Sequence, residues 1–281
     1  MNEFEKAADF TTESLRKLRE TGSNLRGSRE SLRALAAART AAPSPPAAAP
    51  AAAPASSPRL VAKPAPPTGE VFPIGDGTRE ERIERLRGAV GPCVKCPQLA
   101  SSRTQTVFGV GNIEARIMFV GEAPGADEDL QGEPFVGKAG QLLTKIIETM
   151  GVKRADVFIA NVLKCRPDMP PGASGNRRPA TAEMQTCLPY LRAQIEIIKP
   201  EVLVALGSVA MEGLLGSVEP MSRLRGRWHE FQGIPLMATY HPAYLLRNQS
   251  LSEKRKVWED MLLVMERVAL PIGEKQRGYF L

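Results

Sequence analysis

GEAPGADEDLQGEPFVGKAGQLL, Gly121 to Leu143, is the stretch on which the reading of this chain turns. It follows ARIMFV, Ala115 to Val120, an apolar run of strand length, and it precedes a helical pattern through Leu142, Leu143, Ile146 and Ile147. A glycine-rich loop therefore joins a strand to a helix. In an open parallel sheet such a loop lies outside the carboxyl end of its strand, where α/β folds hold their ligands. The loop sets Glu122, Asp127, Glu128, Asp129 and Glu133 among glycines and prolines, with one aromatic residue, Phe135. A phosphate cradle needs a lysine near the helix start and few acids, so a different ligand is expected here.

Outward from this loop the chain alternates. DVFIANVLKC from Asp156, EVLVALG from Glu201 and PLMATYHP from Pro235 are further apolar runs, and helical patterns fall at Gly137 to Met150, Pro179 to Ile198, Ser208 to Leu215 and Ser252 to about Val268. Alternating strands and helices predict a parallel sheet covered on both faces. The polar residues then gather at one edge: Glu122 after the first strand, Asn161 at the end of the second, Gly207 and Ser208 after the third, and His241 after the fourth. Singly, Asn161 could cap a turn, His241 could brace a loop and Phe135 could be core. Their convergence at four strand ends marks a ligand site.

A nucleobase suits that site. Uracil offers an acceptor at O4 beside a donor at N3, and one carboxamide complements both, whereas cytosine presents the reverse pattern. Asn161 fits that role, Phe135 can stack on the ring, and His241 can donate to O2, where negative charge grows as the bond to the sugar breaks. Glu122 can orient or deprotonate the water that captures the sugar cation.

The chain has four cysteines, Cys93, Cys96, Cys165 and Cys187, of which the first two form a CxxC followed by Pro97. For a protein expected in the cytoplasm such a set points to a metal or redox site rather than to disulfides. Zinc and an iron–sulfur cluster are both compatible. CxxCP is of the ferredoxin type and the two distant cysteines do not form a second zinc knuckle, which favours [4Fe–4S]. The alternative for Cys165 and Cys187 is a pair of ordinary buried thiols.

Residues 41–70 are dominated by Ala, Pro and Ser and read as a linker; residues 1–40 read as a polar, helix-prone arm whose heptad seam fails after Leu15 and Leu18, because Gly22 and Arg29 occupy the companion positions. The folded domain is expected over residues 71–281. A net charge of +6 supports a polyanionic partner without deciding for one. No run reaches the roughly 18 apolar residues of a membrane span, and a monomer free of membrane is expected.

GEAPGADEDLQGEPFVGKAGQLL, NVLKCRP and HPAYLLR together resemble the three signature blocks of the family 4, iron–sulfur uracil-DNA glycosylases. The resemblance covers about Val71 to Val268. It implies a three-layer αβα sandwich with a four-stranded parallel sheet, excision of uracil from DNA, and a cluster held by Cys93, Cys96, Cys165 and Cys187. It further implies water activation near Glu122, base contact by the backbone around Ala123, stacking by Phe135, base recognition by Asn161 and leaving-group stabilisation by His241. Glu128 matches the position that resembles a barrier to the thymine methyl group. The segment between Cys165 and Cys187 looks a few residues longer than is usual in that family. A related branch that bonds covalently to the abasic sugar carries a histidine in this segment; here the histidines are His229 and His241.

A base inside a duplex must be swung out before it can be cut. Leu245 and Leu246 are expected to act as a wedge beside the site, with Arg247, Arg166, Arg177 and Arg178 on phosphates. The alternatives are a non-catalytic DNA-binding protein that keeps the glycosylase fold, and an α/β hydrolase, for which a GxSxG elbow is missing. The terminal QRGYFL, Gln276 to Leu281, resembles a peptide that docks on a replication sliding clamp; its ordinary alternative is a tail folded back on the domain.

Overall fold

The computed structural model describes residues 72–170, 172 and 175–281. The arm and linker expected at 1–40 and 41–70 lie outside the described residues. The strands are β1 (Val110–Gly111), β2 (Ile117–Gly121), β3 (Phe158–Asn161), β4 (Val202–Leu206), β5 (Trp228–Phe231) and β6 (Ile234–Thr239), in the spatial order β1-β3-β2-β4-β6-β5. The helices are α1 (Arg79–Val90), α2 (Pro97–Ser102), α3 (Ala126–Gln131), α4 (Lys138–Thr149), α5 (Thr181–Ile198), α6 (Ser208–Leu215), α7 (Met221–Leu224), α8 (Pro242–Arg247), α9 (Leu251–Arg267) and α10 (Glu274–Arg277).

The four expected strands β3, β2, β4 and β6 run parallel, and β1 and β5 flank them as antiparallel edges. The four-stranded parallel sheet is thus the centre of a six-stranded mixed one. The edges escape a search for apolar runs because β1 is only two residues long and β5, WHEF, is half polar. A signal for β5 does exist in Gln232 and Gly233, which take φ of 51° and 82° and close a two-residue hairpin between Phe231 and Ile234.

The central strands are buried on both faces, which is why they read as continuous apolar runs. The period of two divides them between two cores. Met118, Val120, Leu203 and Ala205 pack with Leu86 of α1, Leu191 of α5 and Met211 of α6. Ile117, Phe119 and Val204 face the other way, onto Leu143 and Ile147 of α4 and Met261 and Met265 of α9. The result is the three-layer αβα sandwich. Thr78 opens α1 with a capping box, its hydroxyl accepting from Glu81 N at 3.2 Å and its own N donating to the Glu81 carboxylate at 2.9 Å.

The C-terminal tail folds back. The Gln276 side chain donates to Thr149 O at 2.8 Å, the Gln276 backbone carbonyl accepts from Trp258 Nε1 at 2.5 Å, and Tyr279 lies edge-on against Trp258. The tail folded back on the domain, the ordinary alternative to a clamp-docking peptide, is the arrangement these contacts describe. No helix among the described residues is long and apolar enough to cross a membrane.

Candidate active site

Because the central strands are parallel, their carboxyl ends open onto one edge, and a cleft of about 490 Å³ lies there, lined by Glu122, Ala123, Ser208, His241, Tyr244 and Arg247 among others. Gly207, which precedes α6, takes a positive φ of 94°, and a Cβ added there would stand 3.1 Å from the His241 Cβ. The β4 end and the β6 end are thus in contact across the sheet edge.

Gly121, Asn161 and Phe135 are not among the residues that line this cleft; they meet one another at the adjoining ends of β2 and β3, with the Phe135 ring against His241. Gly121 and Asn161 are register partners at the ends of β2 and β3. A Cβ on Gly121 would fall 2.3 Å from Asn161 Oδ1 and 2.5 Å from the Phe135 ring, so a glycine is required for the amide and the ring to meet. Asn161 is 2% exposed, and its Oδ1 is buried with no hydrogen-bond partner. A buried acceptor left unmatched costs free energy on the order of 1–3 kcal/mol, and such groups in folded proteins call for an explanation.

Phe135 itself is held at φ 56°, a left-handed conformation that aromatic residues rarely adopt. Glu128 is what imposes it. From α3 its carboxylate accepts from Gly125 N, Val136 N and Gly137 N, all at 3.0 Å, and so clasps both ends of the loop that carries Phe135. Gly140 in α4 lies so close to the Phe135 carbonyl that a Cβ would reach within 1.8 Å of its oxygen. The ring is thereby aimed at Gly121 and at His241, 5.5 Å away centroid to centroid. Glu128 acts on this loop through backbone bonds that the sequence alone does not reveal.

His241 caps α8, and its Nδ1 accepts from Ala243 N at 3.1 Å. The ring proton therefore resides on Nε2. Burial, aided by the nearby Arg247 charge, draws the imidazole down to about 4, so at neutral pH it is an uncharged donor. Glu122 is pushed the other way: burial raises its carboxyl above the usual value, against the pull of Arg178.

All four cysteines line one small pocket between α2, α5 and the chain leaving β3. Each of three sulfurs receives a hydrogen bond: Cys165 from Arg103 at 2.9 Å, Cys187 from Lys164 N at 3.2 Å, and Cys93 from Tyr190 OH at 3.4 Å. Burial pushes the Cys187 thiol up to about 12, so a bare thiolate is disfavoured there unless positive charge joins it. Among the described residues no three His, Cys, Asp or Glu side chains are gathered to hold a single metal ion.

The model of the uracil DNA glycosylase superfamily matches residues 108–262, which hold every strand of the sheet and the whole cleft edge. The chain belongs to this superfamily. Within it, the type-4 uracil-DNA glycosylase of Thermotoga maritima is 45% identical over 186 residues, covering 66% of this chain and 93% of its own length. The type-4 enzymes of Archaeoglobus fulgidus (41% identical, 62% of this chain and 88% of theirs) and Sulfurisphaera tokodaii (39%, 72% and 91%) match alike. The chain is placed with these type-4 glycosylases.

Two expectations drawn from this glycosylase's sequence are corrected by the structure. Leu245 is 5% exposed, because it sits on the inner face of α8, whereas Leu246 on the outer face is 38% exposed. A wedge can therefore be Leu246 but not Leu245. Arg177 is not free for phosphate: it pairs with Asp168 and makes a bidentate contact to Glu183 at 2.7 and 2.9 Å, and Arg178 pairs with Glu212. The Glu183 carboxyl, 5% exposed, is held at about 2 chiefly by Arg177. These ion pairs tie down the segment between Cys165 and Cys187. Arg247, by contrast, is exposed at the cleft and makes no hydrogen bond or ion pair among the described residues.

Sequence reading missed Tyr240 and Tyr244, which stack at 4.5 Å on the cleft wall. Their spacing of four within TYHPAY is the available signal, as it sets both rings on one side of the turn into α8. It also missed Lys164, a charge inside an apolar run.

Proposed function

We propose that Asn161, His241 and Glu122 divide between them the excision of uracil from DNA, the enzyme releasing the free base and leaving an abasic site. The observation that carries this reading is the partnerless, buried Oδ1 of Asn161 beside the Phe135 ring. An acceptor there complements the N3 hydrogen of uracil, and the amide nitrogen of the same group donates to O4. Phe135 stacks on the base and the backbone at Ala123 borders it.

The bond from N1 to C1′ breaks with its electron pair passing into the base. The Nε2–H of neutral His241 donates to O2 as that charge develops, a preorganised donor that needs no proton transfer. Glu122 orients the water whose oxygen bonds to C1′ and accepts the proton that the water loses, and its charge also favours the cation-like sugar. Glu128, besides clasping the loop, stands in the region expected to exclude the thymine methyl. The duplex is held by Arg247 and opened by Leu246. One copy of the chain supplies all of these residues, which is consistent with a monomer.

Cys93, Cys96, Cys165 and Cys187 are proposed to hold a [4Fe–4S] cluster. Four cysteines around one pocket, three with hydrogen-bond donors on sulfur, suit a thiolate-ligated cluster. When bound, the cluster supplies thiolate bonds that join the CxxC segment to α5.

The test is incubation of the chain with oligonucleotides carrying one uracil, thymine or hypoxanthine. Release of free uracil, lost in Asn161→Asp, is expected. Tight binding to uracil-containing DNA with no release would favour the non-catalytic DNA-binding reading instead.

A further inference from the structure

Lys164 is 1% exposed, and Gln194 beside it is fully buried. The Lys164 ammonium donates to Asn161 O at 2.9 Å and to Gln194 Oε1 at 2.6 Å, while Gln194 Nε2 donates to Phe108 O at 2.9 Å. Burying an ammonium is costly unless its donors are matched, so its presence here needs a reason. The backbone of the same residue faces the cysteines: Lys164 N donates to Cys187 Sγ, and Lys164 O accepts from Val107 N at 2.7 Å. Between the two lie Val162 N on Gly121 O at 3.0 Å and Leu163 N on Glu122 O at 3.1 Å. From Asn161 to Cys165 the chain is thus tied to the catalytic loop on one side and to the cysteine pocket on the other.

The carbonyl that Lys164 holds belongs to the residue whose side chain carries the partnerless Oδ1. Asn161 ends β3, and the peptide that follows it is held on its N–H side by the bond from Val162 N to Gly121 O. The ammonium holds the carbonyl side of that same peptide from three residues away. We propose that Lys164 is a positioning residue for base recognition: it fixes the Asn161 carboxamide beside the Phe135 ring and joins it rigidly to the cysteine pocket. This rests on the reading of Asn161 as the residue that recognises uracil. Two consequences separate positioning from plain stability. Recognition of the base weakens without Lys164, while contacts to the DNA backbone, made elsewhere, persist.

The experiment measures two quantities on Lys164→Met, with Asn161→Ala as the control: inhibition by free uracil, and affinity for an oligonucleotide carrying a tetrahydrofuran abasic-site analogue, which has no base to recognise. Loss of a hydrogen bond from a charged donor predicts an inhibition constant for uracil higher by roughly tenfold or more. The affinity for the abasic analogue and the iron content are expected to stay within about twofold. Uracil inhibition unchanged in Lys164→Met but lost in Asn161→Ala overturns the role of Lys164 alone. Inhibition unchanged in both overturns the reading of Asn161 itself. A parallel fall in uracil binding, abasic-site binding and iron assigns Lys164 to the fold and overturns positioning. Should Lys164→Met fail to fold, Gln194→Met, which removes one acceptor and keeps the ammonium, decides. A rise in the uracil constant of about threefold with abasic-site affinity intact supports the proposal, and no rise overturns it.

Discussion

Asn161 and Asp260 are both buried polar residues near the carboxyl edge of the sheet, and they are treated in opposite ways. Asp260, fully buried on α9, accepts from Thr239 Oγ1 at 2.6 Å and from Arg225 Nε at 3.1 Å and Nη2 at 2.8 Å. Burial raises its carboxyl to about 6 against the pull of Thr239 and Arg225. Asn161 has its Oδ1 shut away from water with nothing to accept from. The difference teaches how to tell a group that serves the fold from one that waits for a ligand. The fold satisfies Asp260 and so fastens the end of β6 next to His241, whereas it leaves the Asn161 acceptor unmatched, as the proposed recognition of a base requires.

The comparison is broken most directly by exchanging the two losses. Asn161→Asp replaces the donor amide by an acceptor, so excision of uracil is expected to fall by about a thousandfold or more. Asn161→Ala deletes the orphaned acceptor and is expected to leave unfolding by denaturant within about 1 kcal/mol of the parent. A large loss of stability in Asn161→Ala would mean that its amide does serve the fold.

His241→Ala comes next, with single-turnover cleavage slower by about a hundredfold or more and abasic-site binding retained. Since the imidazole is drawn down to about 4, it is neutral across the assay range. The deficit of the variant is therefore expected to be constant from about pH 5.5 to about pH 8. If Glu122 is the base, an acid limb of the wild-type rate is expected from its raised carboxyl, which takes up its proton at a higher pH than an ordinary glutamate. That limb should vanish in Glu122→Gln. A deficit in His241→Ala that grew as pH fell through 6.5 would show that His241 acts in its charged form.

Asp260→Ala strands Arg225, whose side chain is 14% exposed, and should cost about 3–5 kcal/mol in denaturant unfolding. The uracil inhibition constant of the molecules that remain folded should move less than in Asn161→Ala. Smallest is Arg247→Ala. With no partner to release, it should lose affinity for DNA of any sequence by a few fold and lower the slope of log affinity against log salt by about 1. An unchanged slope would place the phosphate path elsewhere.

The architecture was legible because four strands buried on both faces leave an unmistakable apolar signal, and because parallel strands send their carboxyl ends to one edge whatever else the chain does. That topology alone assigns Glu122, Asn161 and His241 to this edge, and the structure places all three at strand ends there, Glu122 and His241 lining the cleft. What stayed hidden was direction. Leu245 and Leu246 are equivalent as letters, and only the phase of a six-residue helix buries one of them. Arg177 and Arg178 looked free because their partners Glu183 and Glu212 are reached through the fold. Lys164 was absorbed into an apolar run, although a lone charge between Asn161 and Cys165 was the signal to follow.

Gly121 carries no side chain, and the meeting of Asn161 with the Phe135 ring depends on that lack. A single base change in a glycine codon can give alanine, among the mildest of all replacements by size and polarity. At this position the added methyl would have to occupy the volume where Asn161 Oδ1 and the Phe135 ring already lie. The lineage is thereby closed to a step that stays open at a glycine such as Gly88, where an added Cβ would meet nothing. A survey that ranks positions by how many chemical groups they contribute would place Gly121 last, yet a saturation screen for uracil excision should find it among the least permissive.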